Sequence, residues 1–584
     1  MHAIKTHLKQ HTVSYLLWLI LVIILVVAVF FLRLYRLPEY LMFLSDQGRD
    51  AIVLKRLVTL EKLVFVGPTT SIGNVFTGPF YYYLVAPFML VFGLHPVGPA
   101  IGIALINSIG LVGIVWYVTR RFGKRTALIF LILAGLSATQ VWQSRYSWNP
   151  NPVPLFTFLT LIAWQQAVDT KKLRYFALTG ILFGFSLQLH YITVILGVLF
   201  LVTALQNILV WMQKQKSPNP THPKKGMFLL RGAYAYLLVA VSLVATFLPL
   251  IVFEIKNRFI NTQTFLRAFS AGEVQAKNSV YLDRLRDTCA GLLQHIFLME
   301  FNRDIALILL VTATAIVLYI VWKDKRTRAE FIVWSLIVVA ANIFALSRLE
   351  TGRHVHYYNP SYYLVYLIIA YVLVSVARGI KTIFVRCRTF EITGEFCDEK
   401  HPHVIHTKKA KYADAYCDAC VQRAYEGYSH MEKAMLVCFT LVLIIVLFQY
   451  SRHQLASLFF LTEKPKSSTQ ITHAQRVAKH IIGQVTSDKF QVVGLPFYEV
   501  EGHYRYFLEY YDRRPMSSDA LGDPKELFVI CHELAKPDCD IPGNPQWQIA
   551  DFQNRHPDWR IEDSTLVEEV RVYKLVYGEN DKTH

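Results

Sequence analysis

Residues 15–35 read YLLWLILVIILVVAVFFLRLY, an apolar run broken by a single charge, Arg33. A helix rises about 1.5 Å per residue and a bilayer's hydrocarbon core is about 30 Å thick, so about 20 such residues make a membrane span. No small-residue cleavage site follows a short apolar core, and the run therefore reads as a retained span rather than a signal peptide. Comparable runs recur along the 584 residues, of which 54% are hydrophobic, with a mean hydropathy of +0.33. Such a chain is too apolar for a string of soluble domains.

Lysine and arginine then set the orientation, because short cytoplasmic loops carry their excess. They collect in RRFGKR (120–125), DTKKLR (169–174), the stretch 213–226, KDKRTR (323–328) and the stretch 378–433. With these and the N-terminus inside, eleven spans fit: 15–35, 97–119, 126–143, 152–168, 175–189, 192–212, 234–253, 305–322, 329–346, 361–377 and 434–450. The apolar stretches Phe80–Gly93 and Cys289–Glu300 are then expected to lie at the interface without crossing. This predicts a polytopic α-helical protein in the plasma (inner) membrane, with a membrane domain over 1–450 and an outer loop over 37–96. The formal charge of +18 follows from the cytoplasmic loops. Nucleic acid is not implied, since no basic domain with interleaved aromatics stands outside the spans.

Residues 451–584 change character. HAQRVAKHIIGQV has helical periodicity, while KFQVVGL, ELFVICHE and VRVYKLVY read as short strands, which predicts a small extracytoplasmic α/β domain. Cys531 and Cys539 within it are placed to pair in an oxidising compartment. On the cytoplasmic side, Cys397, Cys417 and Cys420 with His401 form a candidate structural zinc set, because a C-x-x-C pair can share one tetrahedral ion. Plain reduced cysteines are the alternative.

After the first span comes LSDQGRDAIVLKR, residues 44–56. Ser45 or Asp46 could cap a short helix whose apolar stripe is Val53, Leu57, Leu60 and Val64. Capping needs one small polar residue, however, and not Asp46, Arg49 and Asp50 together. On a helix the two carboxylates stand one turn apart with Arg49 beside them, a grouping that can hold one carboxylate ionised and oriented.

That acidic loop is followed by PTTSIGNVFTGPFYYYLVAPFMLVFGLHP, then RRFGKR, SRYSWNPNPVPLF and, late in the chain, RHVHYYNPSYYL. In this order the motifs resemble those of the GT-C glycosyltransferases of the protein O-mannosyltransferase and aminoarabinose transferase type (family 39). The likeness is clearest over residues 40–200. It implies transfer of a hexosyl or pentosyl unit from a polyprenyl-phosphate donor to an acceptor hydroxyl on a protein, lipid or polysaccharide at the outer face, with inversion at the anomeric carbon.

The resemblance carries the family's loop-one acid to Asp46 as general base, with Asp50 and Arg49 supporting it. A lipid-phosphate leaving group needs positive charge where negative charge develops, and Arg353, His354, His356 and Arg145 are the candidates. Trp148, Asn149, Tyr81, Tyr82 and His190 are candidate sugar or acceptor contacts. Many relatives carry a second acid where this chain has Trp148 and Asn149, which puts a two-acid or metal-bridging scheme in doubt. No cofactor is fixed by the sequence, and a divalent metal is left open. The rivals are a flippase or carrier of lipid-linked sugars, which would line its path with intramembrane charge, and a polysaccharide ligase or polymerase.

Overall fold

The computed structural model of the chain describes residues 2–70, 75–215, 225–270, 281–323, 328–349, 354–393, 418–464, 469–496, 501–517, 522–532 and 539–578. Helix α1 (His2–Leu34) leads through a 3-10 turn at Pro38–Tyr40 into α2 (Ser45–Val58) and α3 (Phe80–Val91). Next come α4 (Val97–Phe122), α5 (Lys124–Leu136), α6 (Ala138–Gln143), α7 (Val153–Thr170) and α8 (Leu173–Leu189). They are followed by α9 (Gly197–Gln215), α10 (Lys225–Thr246), α11 (Leu248–Lys256), α12 (Ile260–Ser270) and α13 (Tyr281–Phe297). The helical part closes with α14 (Arg303–Lys323), α15 (Arg328–Arg348), α16 (Tyr362–Thr393) and α17 (Asp418–Ala456).

Among the described residues, seven helices are long and apolar enough to cross a membrane, or eight if α10 and α11, bent by 61° at a short break, are one span. Each of the eleven segments expected from hydropathy is largely helical, but three are altered in ways that length counting misses. Segment 126–143 is two helices, α5 and α6, because Ser137 leaves the helix and its hydroxyl accepts the Gln140 N–H to start the next one. Segment 234–253 bends where Pro249 follows Phe247. Segment 192–212 starts with a 3-10 turn over Tyr191–Leu196. Helix α3, with 12 residues and Pro87 inside it, spans only about 18 Å and is too short to cross.

The apolar stripe of α2 differs from the expectation. Its buried positions are Gln47, Gly48, Asp50, Ala51, Leu54 and Leu57, and the helix stops at Val58, leaving Leu60 exposed.

Residues 459–578 continue with α18 (Phe459–Thr462), α19 (Gln470–Gln484), β1 (Phe490–Leu495), α20 (Gly502–Tyr510), β2 (Glu526–His532), α21 (Trp547–Arg555), β3 (Arg560–Val567) and β4 (Val570–Val576). The strands form one sheet in the order β1-β2-β4-β3, with β1 and β2 parallel and the other pairs antiparallel. One face of the sheet packs Val493, Leu495, Leu527 and Val529 against Ile549 and Phe552 of α21. Residues of the other face, Val492, Phe528, Ile530 and Val572, join a core that includes α19 and α20 and runs on into the helical part. The small α/β domain read from the sequence is therefore present, and Cys531 and Cys539 are disulfide-bonded in it.

This C-terminal domain is joined to the segment after α1. Phe43 offers its backbone N–H to Gln470 Oε1 (2.8 Å) and packs edge-on against Tyr506 and Phe507. Lys55 Nζ donates to the Glu509 carbonyl (2.7 Å), and Arg56 binds the Glu509 carboxylate with both Nε (3.1 Å) and Nη2 (2.7 Å). Arg514 pairs with Glu61 through two bonds (2.8 and 2.7 Å) and also reaches Glu509. Such forked guanidinium–carboxylate pairs fix direction as well as distance.

Candidate active site

Helix α2 begins after Leu44 without a side-chain cap at that position. Gln47 Oε1 reaches back to accept the Leu44 N–H at 3.1 Å, so neither Ser45 nor Asp46 is spent on capping. Asp46 is left in the first turn, where the free N–H groups of a helix favour negative charge. Its side chain is 46% exposed, and its Oδ1 lies 3.0 Å from Arg49 Nη1. The same guanidinium turns Nε (3.1 Å) and Nη2 (3.0 Å) to Asp50 Oδ1. Asp50, 2% exposed, also accepts the Tyr82 hydroxyl at 2.8 Å. Burial pushes the Asp50 carboxyl up from its ordinary pKa, while Arg49 and Tyr82 hold it down. One arginine thus ties a buried, anchored carboxylate to a half-exposed one.

The GPFYYY stretch supplies the anchor. Gly78 lies so close to Gln188 that any side chain there would collide with it. Phe80 stacks on Phe185 at 3.9 Å. Tyr81 hydrogen-bonds Ser147 (2.7 Å), Tyr82 bonds Asp50, and Tyr83 donates to the Val64 carbonyl (2.7 Å). Tyr81 and Tyr82, expected at a sugar, are buried and hydrogen-bonded to Ser147 and Asp50, and do not line the cavity described next.

A cavity of about 520 Å³ opens beside this cluster. It is lined by Asp46, Arg49, Trp148, Asn149, His190, His354 and His356, brought together from α2 and three connections between helices. Its other walls, outside the expected site residues, are Thr69, Thr70, Thr77, Pro150, Tyr191 and Tyr357. The threonines arrive because residues 67–70 lie beside residues 75–77, with the Gly67 N–H bonded to the Thr77 carbonyl and the Thr77 N–H to the Pro68 carbonyl. Their place beside the GPFYYY motif was the available signal. Tyr191 and Tyr357, linked by their hydroxyls at 3.0 Å, stood next to His190 and His356 in the sequence. An open depression of about 530 Å³ beside α13 contains none of the expected site residues.

Within the cavity, His356 meets Trp148 edge-on at 4.6 Å and His190 at 5.3 Å, and stacks parallel to His354 at 5.8 Å. Burial, with help from His354, lowers the His356 pKa to about 4. Burial and His356 together lower that of His190 to about 3. His190 Nδ1 accepts the Ile192 N–H at 3.3 Å, which assigns the remaining proton to Nε2. Asn149 Nδ2 donates to the Leu189 carbonyl at 2.7 Å, and so holds the loop against the end of α8.

Arg145 is elsewhere. It is 1% exposed, donates to the Leu32 carbonyl (2.8 Å) and lies 3.7 Å over the Phe460 ring. Burial lowers its pKa to about 10. Arg353 lies outside the described residues, as do Cys397, His401 and Cys417, and for Cys420 only the backbone is described. Among the described residues, no group of three or more His, Cys, Asp or Glu side chains is arranged to hold a metal ion.

Residues 77–253 match the family model described as dolichyl-phosphate-mannose-protein mannosyltransferase. The chain also superposes on two structures of ArnT from Cupriavidus metallidurans. The apo form gives a TM-score of 0.52 at 13% identity, covering 97% of this chain and 98% of the other. The form bound to undecaprenyl phosphate gives 0.51 at 11%, covering 95% and 97%. No curated protein sequence matches the chain. The family model matches under a third of the chain and the superposition shows a shared fold, so the chain is similar to membrane glycosyltransferases of the GT-C type. The likeness is to the protein mannosyltransferase family in sequence over 77–253 and to ArnT in fold, the group that the motif order had implied.

Proposed function

We propose that the protein moves a sugar from a polyprenyl-phosphate donor to an acceptor hydroxyl at the outer face of the membrane, with inversion. The observation that carries the reading is the convergence of Asp46, Arg49, Trp148, His190, His354 and His356 on one cavity. Asp46 is the base. Its carboxylate takes the acceptor proton as the new bond to the anomeric carbon forms, so it need not match the pKa of a free alcohol. Asp50 and Arg49 position it: Asp50 is buried and triply bonded, and Arg49 relays that fixed point to Asp46.

The departing lipid phosphate gathers negative charge. Arg49 is the one guanidinium lining the cavity among the described residues, and His354 and His356 add ring N–H donors, with Arg353 as a further candidate. Arg145 drops out, because it is buried outside the cavity lining, with Nη1 on the Leu32 carbonyl and its plane over Phe460. The ring of Trp148 is placed for an apolar sugar face. A bound undecaprenyl phosphate in an ArnT structure of the same fold supports a lipid-linked donor here.

The test is sugar transfer in membranes containing the protein, supplied with polyprenyl-phosphate sugars, together with mass analysis of surface glycans and glycoproteins with and without it. Loss of one sugar from one acceptor class is expected. Unchanged glycans, combined with accelerated movement of lipid-linked sugar between leaflets, would instead establish a flippase.

A further inference from the structure

Helix α2 is squeezed between two bodies. Asp46 and Asp50 stand on the side that faces the transfer site. Gly48 is two residues from each, about 200° around the helix, and so looks the opposite way. That side meets the N-terminus of α20 in the C-terminal domain, where backbones touch. A methyl group on Gly48 would collide with the backbone of Gly502 and His503. One on Gly502 would sit 2.5 Å from the Ser45 carbonyl oxygen and 3.1 Å from the Arg49 nitrogen. Neither glycine has a positive φ, so conformational freedom is not what they provide. Ordinary helical glycines cost stability relative to alanine; what these two allow is the close approach.

The contact is also fixed in rotation. About two turns beyond Gly48, Lys55 and Arg56 both bind Glu509 at the far end of α20, and the Glu509 side chain is 4% exposed. Two helices held by a backbone contact at one end and a partly buried ion pair at the other cannot slide or roll independently.

We propose that the C-terminal domain is a positioning element of the transfer site, and that the Gly48–Gly502 contact sets how far Asp46 reaches into the cavity. The proposal rests on Asp46 being the base, but it has its own readout. A side chain at residue 502 pushes α2 toward the cavity, and a displacement of about 1 Å at a reacting group is enough to cost on the order of 10²-fold in rate.

The experiment uses the full-length protein in membranes and in detergent. Gly502→Ala is compared with Gly483→Ala, a helical glycine of the same domain with open space around its Cβ position. For Gly502→Ala we expect kcat to fall by roughly 10²-fold while the donor KM stays within about threefold, with faster amide exchange in residues 44–58. Gly483→Ala should match the parent on all three measures. Unchanged kcat in folded Gly502→Ala overturns the proposal, as does an equal loss in Gly483→Ala. Should Gly502→Ala not accumulate, Glu509→Gln carries the test. It keeps the shape and removes the charge that Arg56 grips, and unchanged kcat and exchange there also overturn the proposal. Full activity of Asp46→Asn would instead sink the choice of base, while the exchange result would still report whether the domain holds α2.

Discussion

The Tyr82 hydroxyl donates to Asp50 Oδ1 at 2.8 Å, in a site where the carboxylate is 2% exposed and its other bonds come from Arg49 alone. A tyrosine from the GPFYYY motif therefore supports a carboxylate that never lines the cavity, and through it the one that does.

Replacing Tyr82 by Phe removes one donor from a buried charge. A loss of about 1–3 kcal/mol in stability is expected, together with a fall in transfer through misplacement of Arg49. Thermal unfolding of the purified variant and its kcat, read together, check this. A fully active, equally stable Tyr82→Phe would mean that Arg49 alone fixes Asp50.

Asp46→Asn keeps the shape of the side chain and removes its ability to accept a proton. Transfer should drop by about 10²- to 10⁴-fold with donor binding retained. Because Gln47 does the capping, stability should hardly change. Asp50→Asn should act differently, lowering protein level and stability, since it leaves Arg49 without its buried partner. If Asp46→Asn turns over normally and Asp50→Asn accumulates but is dead, the roles are reversed.

The histidines predict a pH response of stability. His190 and His356 have pKa values lowered to about 3 and about 4, against about 6.5 in an unfolded chain. As pH falls below about 6.5 the unfolded chain takes up protons that the native site refuses, so stability is lost progressively down to about pH 3 and is insensitive to these groups above about 7. Thermal midpoints between pH 4 and 8 should show this slope, and His356→Gln should make it shallower. A midpoint independent of pH over 4 to 6.5 would refute the burial of these rings.

Reporter fusions at Gln215 and Lys400 should read cytoplasm, and fusions at Ser71 and Asp519 exterior. Opposite sides for Ser71 and Asp519 would require α3 or α13 to cross and would move the C-terminal domain away from α2.

What the sequence determined by itself was everything that depends on composition along a short stretch. Apolar runs long enough to span, basic clusters between them and alternating patterns after residue 450 gave the class of fold. Motif order gave the likeness that the family match over 77–253 bears out. Loops on one side of such a topology must gather at one end of the helices, which is why Asp46, Trp148, His190, His354 and His356 could be grouped before any coordinates. Tertiary structure decided which way each side chain turns. Arg145 and Tyr82 carry the same local signals as cavity residues, yet one bonds Leu32 and the other Asp50, because burial of a polar group is set by whatever packs on it from elsewhere in the chain. The broken helix at Ser137 and the Gly48–Gly502 contact were hidden for the same reason. A contact between residues 454 apart leaves no periodicity in either segment, and only the packed molecule shows why both positions are glycine.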